Sequence, residues 1–72
     1  MALTVILNGQ SKRIEGLTAG ATLTDAIAAL GLKPDRIAVE RNGEIVGRGG
    51  WGDARLDEGD KLEIVHFVGG GR

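Results

Sequence analysis

Very few side chains in this sequence are suited to covalent chemistry. The chain has 72 residues, no cysteine and one histidine, His66, so thiolate catalysis, disulfides and thiolate metal sites are excluded. Because no second ligand type stands at a suitable spacing, His66 is interpreted as a structural or surface residue. There remains the run Gly69 to Gly71 before Arg72. Taken alone, a terminal glycine run is by default a disordered end or an addition to the natural chain, and only its attachment to a particular fold would give it a chemical role.

Two other segments of unusual composition do not predict a site. The inner glycines are Gly49, Gly50 and Gly52. Because neither a Lys-Ser/Thr pair nor a helix start follows them, they are interpreted as a flexible loop rather than a phosphate-binding loop. A predicted turn carries three carboxylates: Asp57, Glu58 and Asp60. Carboxylates in a turn are usually solvated, and a calcium-binding loop would need more oxygen ligands than these. We therefore expect no catalytic side chain and no metal ligand in this chain.

Composition limits the class of protein. A chain of 72 residues forms a single domain with a thin core, too small to build a deep substrate pocket. The formal net charge is -1 without a basic patch, and the aromatic residues are Trp51 and Phe67, so nucleic acid is not an expected partner. No apolar run is long enough to span a bilayer, so no membrane association and a cytoplasmic location are expected.

A hairpin is predicted at the start of the chain. Residues 3–8 show a period of two that indicates a strand with one face on a core. Asn8-Gly9 tolerates the positive φ angles of a tight turn, and the returning strand is predicted over 12–17, with Ile14 as its clearest apolar residue.

A short helix is predicted next. Thr22 and Asp25 have the spacing of a capping box, so the helix is expected to begin directly after Thr22. Apolar residues at helical spacing follow as far as Leu30. Gly31 suits the left-handed C-terminal position and Pro34 prevents continuation, which gives a helix of about two to three turns.

Three further strands and a loop complete the domain. Residues 37–41 and 44–46 are predicted to form a second hairpin around the Asn42-Gly43 turn. Residues 47–57 have no usable period and are predicted to be a loop anchored in the core by Trp51. Residues 61–68 are predicted as the last strand.

The order of elements predicts an α+β fold of the β-grasp, or ubiquitin-like, type: a mixed sheet of four to five strands packed on one helix. Right-handed crossovers would place the first and last strands side by side and parallel in its middle. The domain is expected to span 1–68, followed by a flexible glycine-rich tail over 69–72. The predicted core consists of Leu3, Val5, Leu7, Leu23, Ile27, Leu30, Ile37, Val39, Leu62 and Ile64.

On these motifs the chain resembles the ThiS-type sulfur carriers of thiamine (thiazole) biosynthesis, within the ubiquitin-like β-grasp family. The resemblance covers essentially the whole chain and is carried by four segments and the tail: Leu7-Asn8-Gly9, the Thr22-led helix, Val39 to Val46 with Arg48 and Trp51, Asp60 to Val65, and Gly69 to Gly71. The family usually has proline where this chain has Gly47, and its members typically end on a glycine pair, whereas this chain continues to Gly71 and Arg72.

The resemblance implies a sulfur carrier rather than an enzyme. A carboxylate is a poor electrophile, so an adenylating (ThiF-like) enzyme would first activate the terminal glycine of the tail, Gly69 to Gly71, with ATP and Mg. A sulfur donor such as a cysteine desulfurase would then supply the sulfur of a C-terminal thiocarboxylate, which thiazole synthase (ThiG-like) would receive. No cofactor bound by this chain itself is implied.

Two expectations concern how the partners engage the chain. If Leu62 and Ile64 point inward, an apolar docking patch is predicted on the other face of the sheet from Ile6, Val65 and Phe67. An active-site channel shaped for glycine would reject a terminal arginine, so Arg72 is expected to be removed and Gly71 to carry the sulfur. The competing explanations are that Arg72 is an addition to the natural chain or that the family chemistry is lost here.

Two other functions stay open at this point. A sulfur carrier for molybdopterin or cysteine synthesis would share the tail chemistry and differ in its partners. A non-catalytic β-grasp interaction module would have the same fold and never use its tail.

Overall fold

The computed structural model describes residues 1–67, which form a five-stranded sheet, one α-helix and two short 3-10 turns. The strands and the helix have these bounds: β1 Ala2–Leu7, β2 Gln10–Glu15, α1 Leu23–Ala29, β3 Ile37–Arg41, β4 Glu44–Val46 and β5 Lys61–His66. The 3-10 turns are Pro34–Arg36 and Arg48–Gly50. No helix within residues 1–67 is long and apolar enough to cross a bilayer.

The sheet is mixed and has the strand order β2-β1-β5-β3-β4. β1 and β5 are parallel neighbours at its centre, while β2 pairs with β1, and β3 with both β4 and β5, in antiparallel fashion. This topology confirms the β-grasp prediction. It also makes β5, the strand that leads towards the tail, a central strand held on both sides.

Both hairpins turn on an Asn-Gly pair in the left-handed region. The φ angles are 50° and 84° at Asn8 and Gly9, and 51° and 87° at Asn42 and Gly43, which tight hairpin turns require and these residue types accept. Because the first turn has only two central residues, it pairs Leu7 with Gln10 and starts β2 at once. The sequence prediction of 12–17 therefore placed the returning strand two residues too late, and the observed strand is Gln10–Glu15.

The helix is bounded by local hydrogen bonds. The Thr22 hydroxyl accepts from the Asp25 backbone N–H at 3.2 Å, and the Asp25 carboxylate accepts from the Thr22 backbone N–H at 3.0 Å. This is the predicted capping box. After the C-cap residue Leu30, Gly31 takes a φ of 72°, as expected for a left-handed helix end.

The core lies between α1 and the inner face of the sheet. Its buried apolar residues are Leu3, Val5, Ile14, Leu23, Ala26, Ile27, Ile37, Val39, Trp51, Leu56, Leu62 and Ile64. Leu7 and Leu30, which were predicted as core residues, are only partly buried because they lie at the ends of β1 and α1. The sequence prediction missed the burial of Leu56, whereas Trp51 is the predicted anchor and donates its indole N–H to the Val46 carbonyl at 2.9 Å.

Candidate functional site

The end of β5 is held by the side chain of Asn8. Pairing of β1 with β5 stops at Leu7 and Leu62, because the chain turns away at Asn8. The Asn8 amide then continues the ladder: its Oδ1 accepts from the Ile64 N–H at 2.8 Å and its Nδ2 donates to the Ile64 carbonyl at 3.2 Å. A side chain thus replaces the next residue of the neighbouring strand and keeps β5 extended in the direction of the tail.

The start of β5 is held by a buried carboxylate. Asp60, only 9% exposed, accepts hydrogen bonds from the Asp57 backbone N–H at 2.8 Å, Arg41 Nε at 3.2 Å and Asn42 Nδ2 at 3.2 Å. Burial by itself would raise the pKa of Asp60, but these three donors outweigh burial, and its pKa lies below the ordinary value. The expectation that all three carboxylates of this turn are solvated is therefore wrong for Asp60, although Asp57 and Glu58 are exposed.

The face of the sheet that points away from α1 exposes large apolar side chains. Alternation along β5 turns Leu62 and Ile64 into the core and Val65 outward, where it is 62% exposed. Phe67, just past the strand, is 55% exposed, and its backbone N–H donates to the Arg36 carbonyl at 2.8 Å. Two of the three predicted docking residues are therefore free to contact a partner.

The structure does not bring the third predicted docking residue next to them. Ile6 lies on the same face of the sheet, but the register places it opposite Lys61, four residues before Val65 along β5. At about 3.3 Å per residue this separates Ile6 from Val65 by about 13 Å along the strand. The predicted adjacency fails because β1 ends at Leu7 while β5 continues.

A different apolar residue completes the exposed face. Ile45, at the middle of β4, is 79% exposed, and sequence analysis did not single it out. Its three-residue strand was correctly bounded, but alternation alone does not decide which of the adjacent apolar residues Ile45 and Val46 faces the core. The pairing of Val46 with the buried Val39 turns Val46 inward and Ile45 outward.

Comparison with known proteins identifies the family. The ThiS family model matches residues 5–71. The chain belongs to the ThiS family. It is 40% identical over 65 residues to the protein named sulfur carrier protein ThiS of Bacillus subtilis, and the match covers 90% of this chain and 96% of that protein.

Solved structures of a ThiS protein and of SAMP1 share the fold. A crystal structure of the thiamine biosynthesis protein ThiS from Geobacter metallireducens superimposes with a TM-score of 0.80 at 27% identity, over 96% of this chain and 100% of that one. The crystal structure of SAMP1 from Haloferax volcanii superimposes with a TM-score of 0.60 at 26% identity, over 99% of this chain and 100% of that one.

A second group of relatives is much longer than this chain. Proteins named thiazole synthase from Magnetococcus marinus and Paramagnetospirillum magneticum are 46% and 37% identical over 66 and 67 residues. These matches cover 92% and 93% of this chain but only 19% and 20% of the relatives, so the chain spans about a fifth of their length. A ThiS-like segment is thus part of the same polypeptide as the rest of those proteins.

The predicted sulfur-carrying residues, Gly69, Gly70 and Gly71, lie outside the described residues 1–67. The match to the ThiS family model extends through all three and ends at Gly71. The structure describes the part of the chain that precedes that segment. There, the central strand β5 is held at its start by Asp60 and further along by Asn8, beside an exposed apolar face.

Proposed function

We propose that this chain is a sulfur carrier protein for thiazole formation in thiamine biosynthesis, and that it acts as a protein co-substrate rather than as an enzyme. The observation that carries this proposal is the ThiS family match, which runs from β1 through the glycine segment to Gly71. The name of the Bacillus relative supports the carrier role, and the names of the longer relatives support the thiazole pathway. A carrier for molybdopterin or cysteine synthesis would share the tail chemistry, but the names of the relatives favour thiazole.

The chemistry proposed for the tail takes place at one carbonyl carbon. In a partner's active site the terminal carboxylate oxygen attacks the α-phosphorus of ATP, pyrophosphate leaves, and an acyl adenylate forms. A hydrosulfide equivalent from the sulfur donor then adds to the acyl carbon, the bond to AMP breaks, and a thiocarboxylate remains. The chain contributes reach, because three to four extended residues span about 10 to 14 Å.

The proposed partners divide the remaining tasks among them. An adenylating (ThiF-like) enzyme supplies the ATP and Mg site, a donor such as a cysteine desulfurase supplies sulfur, and thiazole synthase (ThiG-like) receives it. Support for the last comes from relatives named thiazole synthase, in which a ThiS-like segment is part of the chain. No cofactor is assigned to this chain itself, and the cytoplasmic location stays a prediction.

Arg72 sets a condition on this chemistry. The family match ends at Gly71, and Arg72 follows it, so the carboxylate of Gly71 becomes available only when the peptide bond between Gly71 and Arg72 is cleaved. A channel shaped for glycine would hold the arginine side chain back and misplace the reacting carbon. We therefore propose that the thiocarboxylate forms on Gly71.

Intact mass spectrometry tests the proposal directly. A chain ending at Gly71 is incubated with ATP, Mg, sulfide and the adenylating enzyme of the same organism, and the chain retaining Arg72 serves as the matched control. We expect the first to gain about 16 Da as sulfur replaces oxygen, and the second to remain unchanged. If neither form is adenylated or gains mass, the chain is an interaction module and the carrier proposal is wrong. If only the longer chain reacts, the assignment to Gly71 is wrong.

A further inference from the structure

The exposed apolar residues of the outer face lie on three adjacent strands. Val65 of β5 is directly opposite Ala38 of β3, and Phe67 follows two residues beyond Val65 on the same face. Ile45 of β4 lies on the other side of β3. Three of these side chains are more than half exposed: Ile45, Val65 and Phe67. Exposed apolar surface of this kind is typical of a protein-binding face.

Two glutamates face each other at the end of this surface nearest the Asn42-Gly43 turn. Glu40 of β3 and Glu63 of β5 are directly opposite partners on the outer face, and Ile45 is the partner of Glu40 on its other side. Backbone hydrogen bonds run from the Phe67 N–H to the Arg36 carbonyl and from the Asn42 N–H to the Lys61 carbonyl. Because hydrogen-bonded and non-hydrogen-bonded positions alternate along an antiparallel pair, the backbones of Glu40 and Glu63 occupy a hydrogen-bonded position, with Cα atoms about 5.5 Å apart. Like charges directly opposite on neighbouring strands destabilise a sheet.

The chain does not neutralise this pair itself. Among residues 1–67 the ion pairs are Arg13 with Glu15, Arg36 with Asp35, and Arg41 with Asp60, and neither glutamate takes part in one. Lys61 lies beside the pair and lines one shallow depression with both glutamates, but it forms no ion pair with either, and Arg36 is further away, opposite Phe67. The cross-strand repulsion lies where the apolar residues meet the polar end of the sheet, and a partner that covers both could relieve it.

We propose that the outer face of β3, β4 and β5 binds a partner protein that inserts an arginine side chain between Glu40 and Glu63 while apolar residues of that partner cover Ile45, Val65 and Phe67. The charge and shape of the pair select this occupant. A planar guanidinium offers several donors at once and suits two neighbouring carboxylates better than an ammonium does. Covering the apolar residues removes water from around the ion pairs and strengthens them.

This inference rests on the proposed function, since it takes the adenylating enzyme as the partner. The test measures the dissociation constant of full-length carrier and that enzyme by titration calorimetry for Glu40→Gln, Glu63→Gln and the double variant. We expect the double variant to bind about 10- to 100-fold more weakly, with a shallower dependence of binding on salt. Thermal unfolding of the free carrier should shift in the opposite direction, upward by about 1 to 8 °C, because the repulsion is gone.

A matched control removes the same charge from the neighbouring strand. Glu44 lies opposite Arg41 and therefore on the other face of the sheet, so Glu44→Gln should leave the affinity unchanged. Equal affinity of the double variant and the wild type, with normal gain of sulfur at Gly71, would overturn the docking inference and leave the carrier function standing. Weaker binding of the double variant together with a lowered unfolding temperature would also overturn it, since the glutamates would then act through the fold.

Discussion

Replacing Asp60 by asparagine should remove a large part of the stability of the domain. The substitution preserves shape but turns one oxygen into an NH2 donor, which then faces either Asn42 Nδ2 or the two donors from Arg41 and Asp57. Asn42 cannot relieve this by rotating its amide, because its Oδ1 accepts from the Lys61 N–H at 2.9 Å. One unsatisfied donor and weakened remaining bonds together cost about 2 to 4 kcal/mol.

Urea unfolding at pH 7 measures this loss, with the fluorescence of Trp51 as the signal. Trp51 is the single tryptophan, is 3% exposed and donates to Val46, so its emission should change on unfolding. A small domain has a free energy of unfolding of about 5 to 15 kcal/mol. The expected shift of the midpoint is therefore large and easily resolved.

The pH dependence of the loss identifies its cause. The pKa of Asp60 in the folded chain is lower than the ordinary value of 3.8, so its ionised form stabilises the fold fully above that pH. This stabilisation is lost as the pH falls below 3.8 through the folded pKa. The difference in unfolding free energy between wild type and Asp60→Asn should accordingly be constant near neutrality and shrink in acid.

Asp57→Asn is the matched control, because Asp57 is exposed in the same turn and the group it gives to Asp60 is its backbone N–H. We expect it to change the unfolding free energy by less than about 0.5 kcal/mol. Equal losses for the two variants, or a loss for Asp60→Asn that stays constant down to pH 2, would refute the reasoning that the buried carboxylate holds the start of β5.

Three further predictions concern the core, the cap and the exposed face. Ile27→Ala should lower the unfolding free energy by about 2 to 5 kcal/mol in urea titrations, because Ile27 is 1% exposed between helix and sheet. Thr22→Ala should cost about 0.5 to 2 kcal/mol through loss of the cap, while Thr18→Ala in the preceding exposed loop should cost much less. Phe67→Ala should slow adenylation of the tail in a pyrophosphate-release assay with little change in thermal stability, and an unchanged adenylation rate would remove Phe67 from the docking face.

Elements bounded by local chemistry could be predicted from the sequence. The Thr22 and Asp25 spacing placed the helix start correctly, because a capping box is closed within four residues. The Asn42-Gly43 turn likewise set both β3 and β4 to the residue. The predicted second strand extended to Leu17, which was too far. The observed strand ends at Glu15, because Gly16 has a φ of 87°.

Features that depend on distant contacts could not be predicted. Leu56 is fully buried, and the backbone of Arg55 forms an isolated antiparallel β-bridge with Thr22. The loop around them shows no hydrophobic periodicity, because other elements supply its contacts. The burial of Asp60 depends on donors from β3 and its turn, nineteen and eighteen residues away. The predicted grouping of Ile6 with Val65 and Phe67 was wrong because the register between β1 and β5, rather than alternation within a strand, decides which side chains are neighbours.

Both turn asparagines are positions at which the side-chain amide can be lost slowly by hydrolysis. Asn-Gly pairs are the sequences in which the side-chain amide is hydrolysed most readily, through attack by the following backbone nitrogen. Here each amide is engaged in a strand interaction, Asn8 with Ile64 and Asn42 with Asp60 and Lys61, which holds the amide and delays that attack. Once hydrolysed, either residue would set a carboxylate against an acceptor, the Ile64 carbonyl or the Asp60 carboxylate, and repel it. Loss of these amides would therefore weaken the contacts that hold β5 at its start and at Ile64.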